Sequence, residues 1–307
     1  MTARPPSAPN PRRGEARVIQ AMPMAEYQAL KALSAGGVHT LVEECPARYW
    51  HDSPWGPGSG DHAAHFDIGT ALHLAVLEPA LLAERVVPHA FDTYATKESR
   101  EVRDAAWETG KTPLKPKEWE VVQGMAYAIG TAGIANLFRG GDAEATLVWD
   151  WAGIPCKARP DYLSGDRKTI VDAKTAESAN PRAIGRKAFS EGWHVRAAWY
   201  KEAVAATTGI MPERYVFVVV EKSQPHLIQA FTLDERAEEW GRQCIRAGMR
   251  LFERCRVRNE WPSYGSGIMP LPLPTWAEFQ LADREQAGEF GRITAADARR
   301  SIEWMEP

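Results

Sequence analysis

The chain has 307 residues, 44% apolar and 25% charged, which suits a soluble globular protein of one large domain or two small ones. This composition excludes collagen-like, disordered and disulfide-scaffold classes, and the length allows a substantial core without staples. A net charge of −3, from 37 basic and 40 acidic residues, excludes nucleic-acid binding by bulk positive charge but not a local basic groove.

Residues 1–17 are rich in Pro, Ala, Ser and Arg and read as a disordered arm, without the apolar core of a secretory signal. Two short helices are expected between Met24 and Tyr49. Ser34 caps the second, Val38, Leu41 and Val42 face inward, and Pro46 stops it. Asp52–Asp61 is a loop by its Gly and Pro density. A helix over Ile68–Glu78 carries Leu72, Val76 and Leu77 at helical spacing, with Pro79 behind it. A charged helix covers Lys97–Thr109, and another covers Lys117–Phe138, weakened by Gly130 and Gly133. Its uncharged part, Gly124–Phe138, has 15 residues, short of a bilayer span of about 18–20, so no membrane partner is expected.

Strands follow. Thr146–Trp151 and Ile154–Leu163 join through a turn at Ala152-Gly153, and a third strand, Thr169–Lys174, follows Ser164-Gly165-Asp166. A helix over Trp193–Thr207 ends at Gly209. Next come a buried strand (Tyr215–Val220), a turn (Ser223–Pro225) and a strand (Leu227–Leu233). Asp234 caps a long helix to Cys255. The chain therefore divides into an arm (1–17), a main domain (18–262) and a Pro/Gly-rich linker with a polar helical tail (263–307). This order predicts an α/β or α+β layered domain with a mixed sheet. Four widely spaced cysteines imply free thiols in a reducing, intracellular compartment. Most of the twelve tryptophans belong to the core; one or two could stack on bases, and the count does not say which.

The informative segment is Arg159-Pro160-Asp161, ten intervening residues, then Asp172-Ala173-Lys174. Residues two apart on a strand share a face, so Asp172 and Lys174 point the same way. Asp161 lies near the end of the neighbouring strand, so two carboxylates and an ammonium converge at one end of a hairpin. Paired carboxylates bind a hard cation such as Mg²⁺. Such a cation neutralises charge on a phosphate and acidifies water, which is what phosphodiester hydrolysis requires. The rival reading is a surface ion pair on an edge strand, as an arbitrary Asp-x-Lys would be. The apolar run Thr169-Ile170-Val171 argues against it. Lys157 and Arg159 share the strand parity of Asp161, and either contact phosphates or line a solvated edge.

This pattern resembles the PD-(D/E)XK nuclease superfamily and, more narrowly, the phage and prophage RecE-type exonucleases (exodeoxyribonuclease VIII). The likeness covers about residues 22–262. It includes Glu26-Tyr27, Leu33-Ser34, Cys45-Pro46-Ala47-Arg48-Tyr49, Phe66-Asp67-Ile68-Gly69-Thr70-Ala71-Leu72-His73, Leu77-Glu78-Pro79 and Gly110-Lys111-Thr112. It implies a restriction-endonuclease-like core, a mixed central sheet flanked by helices. It implies that His73, Asp161, Asp172 and the carbonyl of Ala173 ligate metal, with Lys174 the catalytic lysine. Glu78, apart from the resemblance, either assists metal binding or sits at a helix end near Pro79. Mg²⁺ is the implied cofactor, with Mn²⁺ as a substitute. These nucleases often carry Gln and then Tyr on the helix after the core, where this chain has Arg196 and Tyr200. Arg196 can still meet a phosphate, whereas the rival reading is a solvent-facing Arg and a packed Tyr.

The resemblance further implies 5′→3′ digestion of linear double-stranded DNA from its ends, a single-strand annealing partner, a ring-like homo-oligomer and the cytoplasm of a bacterial or phage-infected cell. Two rivals keep the fold: a non-catalytic DNA-binding or assembly module, and a structure-specific endonuclease. Other signals are discounted. Gly110-Lys111-Thr112 lacks the upstream glycine of a phosphate loop, since Ala105 stands there. His62, His65 and His73 have no Cys-x-x-Cys partner for zinc, and the cysteine spacing does not suit an iron–sulfur cluster.

Overall fold

The computed structural model describes residues 12, 14–57, 68–265 and 267–291. The chain forms two compact units, residues 1–264 and 265–307.

The first unit opens with β1 (Ala16–Ile19). Ala16 and Arg17 thus leave the expected arm: they pair antiparallel with Trp149 and Val148, a long-range partner that local composition does not announce. Three helices follow where two are expected: α1 (Met24–Ala29), α2 (Ala35–Glu43) and α3 (Pro46–Asp52). The Ser34 hydroxyl accepts the Gly37 N–H at 3.2 Å, which caps α2 as predicted. Pro46 does more than stop a helix. It opens α3, where its missing N–H would have no partner anyway. Pro79 acts likewise between α4 (Ile68–Leu77) and α5 (Pro79–Arg85).

Then come β2 (Val86–Pro88), α6 (Lys97–Glu108), β3 (Thr112–Leu114) and α7 (Pro116–Thr131). α7 ends short of the expected Phe138, and a 3-10 turn over Ala135–Phe138 follows Gly133. β4 (Gly141–Ala143), β5 (Thr146–Trp151), β6 (Ile154–Ala158), β7 (Tyr162–Ser164) and β8 (Thr169–Ala176) form the meander. α8 (Pro181–Ser190) is unexpected: it is mostly exposed and sets only Ile184 and Ala188 against the core, and Asn180 caps it by accepting the Arg182 N–H at 2.9 Å. α9 (Trp193–Thr208), β9 (Arg214–Glu221), β10 (Ile228–Phe231) and α10 (Glu235–Arg258) complete the unit. The second unit contains α11 (Thr275–Gln286). No helix among the described residues is long and apolar enough to cross a membrane.

The expected strand Ile154–Leu163 is two strands in two sheets. Pro160 has no N–H to give a ladder, so pairing breaks there. β6 stays in a sheet of order β1-β5-β6, while β7 enters the larger sheet, β10-β9-β8-β7-β4. β8 runs parallel to β9 and antiparallel to β7, which makes the central sheet mixed. The buried face of α9 packs on this framework: Trp193 stacks on Phe217 with ring centroids 4.5 Å apart. α10 lies close on α9 at Gly241, where a Cβ would sit 2.1 Å from the His194 carbonyl oxygen.

The break at Pro160 also ends the parity argument for Lys157. Its Nζ is buried and donates to the carbonyls of Tyr27, Gln28 and Leu30 at 2.9, 3.1 and 3.0 Å. Burial pulls its pKa down to about 8, but three accepting carbonyls suit an ammonium. Lys157 therefore ties α1 to β6 and is not placed to meet phosphate. Lys157→Met strands three acceptors, and a loss of about 3 kcal/mol is expected. Thermal unfolding should show it as a midpoint about 6–12 °C lower. An unchanged midpoint would contradict this role.

Candidate active site

The β4–β8 meander crosses twice between the two larger sheets, and Glu144 and Asp161 sit at these crossings. The first runs from β4 to β5 through Glu144, whose φ of +50° lies in the left-handed region rarely used by residues with side chains. The second runs from β6 to β7 through Arg159, Pro160 and Asp161. The crossings are tied together: the Glu144 N–H donates to the Asp161 carbonyl at 3.0 Å. Arg159 Nε donates to Glu144 Oε2 at 2.7 Å, and its Nη1 donates to the Met22 carbonyl at 2.7 Å.

The β7–β8 register pairs Tyr162 with Val171 and Leu163 with Ile170. One further step sets Asp161 opposite Asp172. Asp161 Oδ2 accepts the Ala173 N–H at 2.8 Å. His73 arrives from α4, with Nε2 2.9 Å from the Ala173 carbonyl oxygen and 3.4 Å from Asp161 Oδ2. Its Nδ1 lies 3.6 Å from Glu144 Oε1. Lys174 Nζ is 2.5 Å from Asp172 Oδ2, and Arg196 Nη1, reaching from α9, is 4.0 Å from Oδ1. The structure therefore brings His73, Asp161, Asp172, Ala173, Lys174 and Arg196 together.

The electrostatics are those of buried charges facing one another. Burial opposes ionisation of Asp172, but Lys174 and Arg196 outweigh it and hold the carboxyl below its usual range. Asp161 is pushed up by burial and by the Asp172 charge. Burial opposes a charged His73, yet Asp161 and Glu144 raise its pKa to about 9. Burial likewise opposes a charged Glu144, while His73 and Arg159 draw its pKa down. Glu78, at the start of α5, is raised by burial and by Glu144.

This donor set fits a hard divalent cation. Asp172 is fully buried, with its carboxylate oxygens closed to water. The Lys174 ammonium lies 2.5 Å from Oδ2. Its Oδ1 has only the Arg196 guanidinium, 4.0 Å away, and so keeps lone pairs that a cation could use. His73, Glu144 and Asp161 each offer an atom within 4.8 Å of the others. The 2.9 Å hydrogen bond between His73 Nε2 and the Ala173 carbonyl holds the ring beside Asp161 Oδ2, 3.4 Å away. His73, Glu144, Asp161, Asp172 and the Ala173 carbonyl are the groups that could hold the ion.

Glu144 is the residue that sequence reasoning misses. It has no motif spacing to Asp161, and only a left-handed turn between two sheets aims it inward. Arg159, read as a phosphate contact, instead spends its guanidinium on Glu144 and Met22. Tyr200 is buried one turn from Arg196 and packs near Tyr215, ring centroids 6.1 Å apart, as the packed reading anticipates. His62, His65, Phe66 and Asp67 lie outside the described residues. All four cysteines are free. Glu144→Gln and Asp172→Asn should each weaken Mn²⁺ binding by about 10–100-fold in calorimetry, and Arg159→Ala should weaken it by freeing Glu144. Unaltered affinity in Glu144→Gln would remove that residue from the ligand set.

No curated protein matches the sequence. Among solved structures, a Eubacterium rectale protein assigned as an exonuclease aligns at 11% identity with a TM-score of 0.55, covering 83% of this chain and 95% of that one. At that identity the likeness is one of fold, and it agrees with a restriction-endonuclease-like core whose mixed sheet is flanked by helices. An alkaline exonuclease (LHK-Exo) from Laribacter hongkongensis aligns at 14% identity with a TM-score of 0.25, covering 59% of this chain and 96% of that one, and carries no argument. The family profile that matches, described as a PDDEXK-like domain of unknown function (DUF3799), spans residues 38–269 and so takes in His73, Glu144, Asp161, Asp172 and Lys174. The chain belongs to this PDDEXK-like family.

Proposed function

We propose that the chain is a metal-dependent exodeoxyribonuclease that hydrolyses phosphodiester bonds of linear double-stranded DNA. The observation that carries this reading is Asp172, sealed from water and faced by Lys174, converging with Asp161, His73 and the Ala173 carbonyl at one end of the β7–β8 pair. Mg²⁺ suits these donors, with Mn²⁺ as a substitute. Such an ion supplies positive charge to phosphate oxygens and acidifies water.

The chain's own groups do the rest. Asp161 and Asp172, held by β7 and β8, keep the ligand oxygens in place, and the bond from the Ala173 N–H fixes Asp161. Lys174 shares the face of Asp172 and can orient the attacking water and stabilise charge growing on the phosphate. Arg196 faces the same carboxylate and can offer paired N–H groups to a phosphate. In the hydrolysis the water oxygen bonds to phosphorus, the bond to the leaving strand's oxygen breaks, and a proton ends on that oxygen. The sequence likeness to RecE-type exonucleases supports 5′→3′ polarity and a 3′ single strand passed to an annealing protein in recombination. It also supports a ring-like homo-oligomer that acts in the cytoplasm of a bacterial or phage-infected cell.

Lys174→Ala should lower the cleavage rate by about 10²–10⁴-fold while calorimetry shows Mn²⁺ still bound. A wild-type rate in this variant would remove Lys174 from catalysis. Linear duplex should be degraded in Mg²⁺ and spared in EDTA, and a covalently closed circle should survive. Nicking of the circle would favour the endonuclease instead. DNA binding without cleavage in either condition would favour the assembly module.

A further inference from the structure

α10 carries a feature that the centre at Asp172 does not use. Arg242, Arg246, Arg250, Arg254 and Arg258 recur every four residues along it. At 3.6 residues per turn this row winds slowly round the helix: Arg242 and Arg246 flank the core-facing Gly241, Ile245, Met249 and Phe252, and Arg250, Arg254 and Arg258 lie on the far side. Between Arg242 and Arg258 there are six arginines and one acid, Glu253, in a chain whose net charge is −3. A helix C-terminus attracts cations, which accounts for Arg256 and Arg258 in the last turn, but that effect fades within a turn and does not reach Arg242, Arg246 or Arg250. Glu239 pairs with Arg242 and Arg246 at 2.8 Å, and Glu253 with Arg256 at 2.7 Å. Arg250, Arg254 and Arg258 are exposed and have no carboxylate partner among the described residues.

A second observation lies beside the row. An apolar cavity of about 450 Å³ is walled by Phe189, Trp193, His194 and Trp240, with Glu43 as its acid. Phe189 and Trp240 are 65% and 53% exposed, large aromatic surfaces left in water. Phe189 lies parallel to His194, ring centroids 5.8 Å apart. A neighbouring groove shares the Trp240 and Cys244 walls and is lined by Arg246 and Arg250. Aromatic faces and guanidinium groups therefore meet across one tryptophan.

We propose that this aromatic cavity and the arginine row of α10 bind a single strand of nucleic acid, with an unstacked base against Trp240 and Phe189 and phosphates on Arg246, Arg250 and Arg254. A duplex keeps its bases stacked inside and could use only the arginines; a single strand can use both parts. Its identity as DNA rests on the nuclease reading above, where such a strand is the product of digestion.

The test is fluorescence anisotropy of a labelled oligothymidylate of about 20 nucleotides, titrated with the full chain in EDTA so that nothing is cleaved. Arg250→Glu/Arg254→Glu should weaken binding about tenfold or more and flatten the salt dependence by about 0.7 for each phosphate no longer neutralised. Trp240→Ala should weaken single-strand binding by about tenfold and leave binding to a duplex of the same length unchanged. Thermal unfolding verifies the fold, and Arg254→Glu alone replaces the double variant if that fails to fold. Unchanged affinity and salt slope in the arginine variants overturn the proposal. An effect of the arginines without one of Trp240 overturns the single-strand assignment in favour of a general polyanion surface. Digestion by the wild type in Mg²⁺, run separately, judges the nuclease reading. Strand binding without digestion condemns that reading alone, and digestion with inert variants condemns this one alone.

Discussion

A carboxylate with no access to water governs the architecture of the centre. Asp172 lies on a strand buried from both faces, where an isolated charge would carry a large desolvation penalty. Its surroundings are arranged to offset that penalty: the Lys174 ammonium on the same strand, the Arg196 guanidinium from α9, and a pocket of acceptors closed by His73. Removing any one of these cations would leave negative charge facing negative charge in a region of low dielectric. Beside this compensated carboxylate, His73, Glu144 and Asp161 bring three ligand-type atoms within 4.8 Å of one another, a set that could hold a divalent ion.

Two sheets, rather than one, make such a pocket possible. A continuous ladder has no room at its middle, because every strand position is paired on both sides. Where the chain leaves one sheet for the other, pairing stops and side chains turn into the gap. Pro160 forces one departure and the left-handed Glu144 marks the other. Arg159 links the two by holding Glu144 and the Met22 carbonyl at once. The arginine thus acts on the centre through the residue it positions. Lys157, two residues earlier, performs comparable work for α1.

The tryptophans divide by environment. Trp149, Trp193 and Trp199 are buried and knit α9 to both sheets, while Trp240 stands in solvent beside arginines. A small net charge conceals this partition, since field at a surface depends on where charges sit and not on their sum. α10 illustrates it: an apolar seam faces α9 and α2, and a cationic row faces outward.

What was legible in the sequence is what local chemistry controls. The Asp161, Asp172, Lys174 constellation, the cap at Ser34, the stop of α9 at Gly209 and the cap of α10 at Asp234 all follow from short spacings, and hydrogen bonds confirm the two caps. His73 came from likeness to known nucleases, because a helix histidine bears no mark of what faces it across a hundred residues. Glu144, the split of one expected strand into β6 and β7, the strand β1 and the inward roles of Lys157 and Arg159 were decided by tertiary structure. Each depends on a partner distant in the chain, and alternation along a strand loses its meaning once a proline moves the chain into another sheet. Side-chain type and spacing therefore determined which chemistry was available, while the crossing of two sheets determined which of those side chains share one pocket, because only folding converts distant positions into neighbours a few ångströms apart.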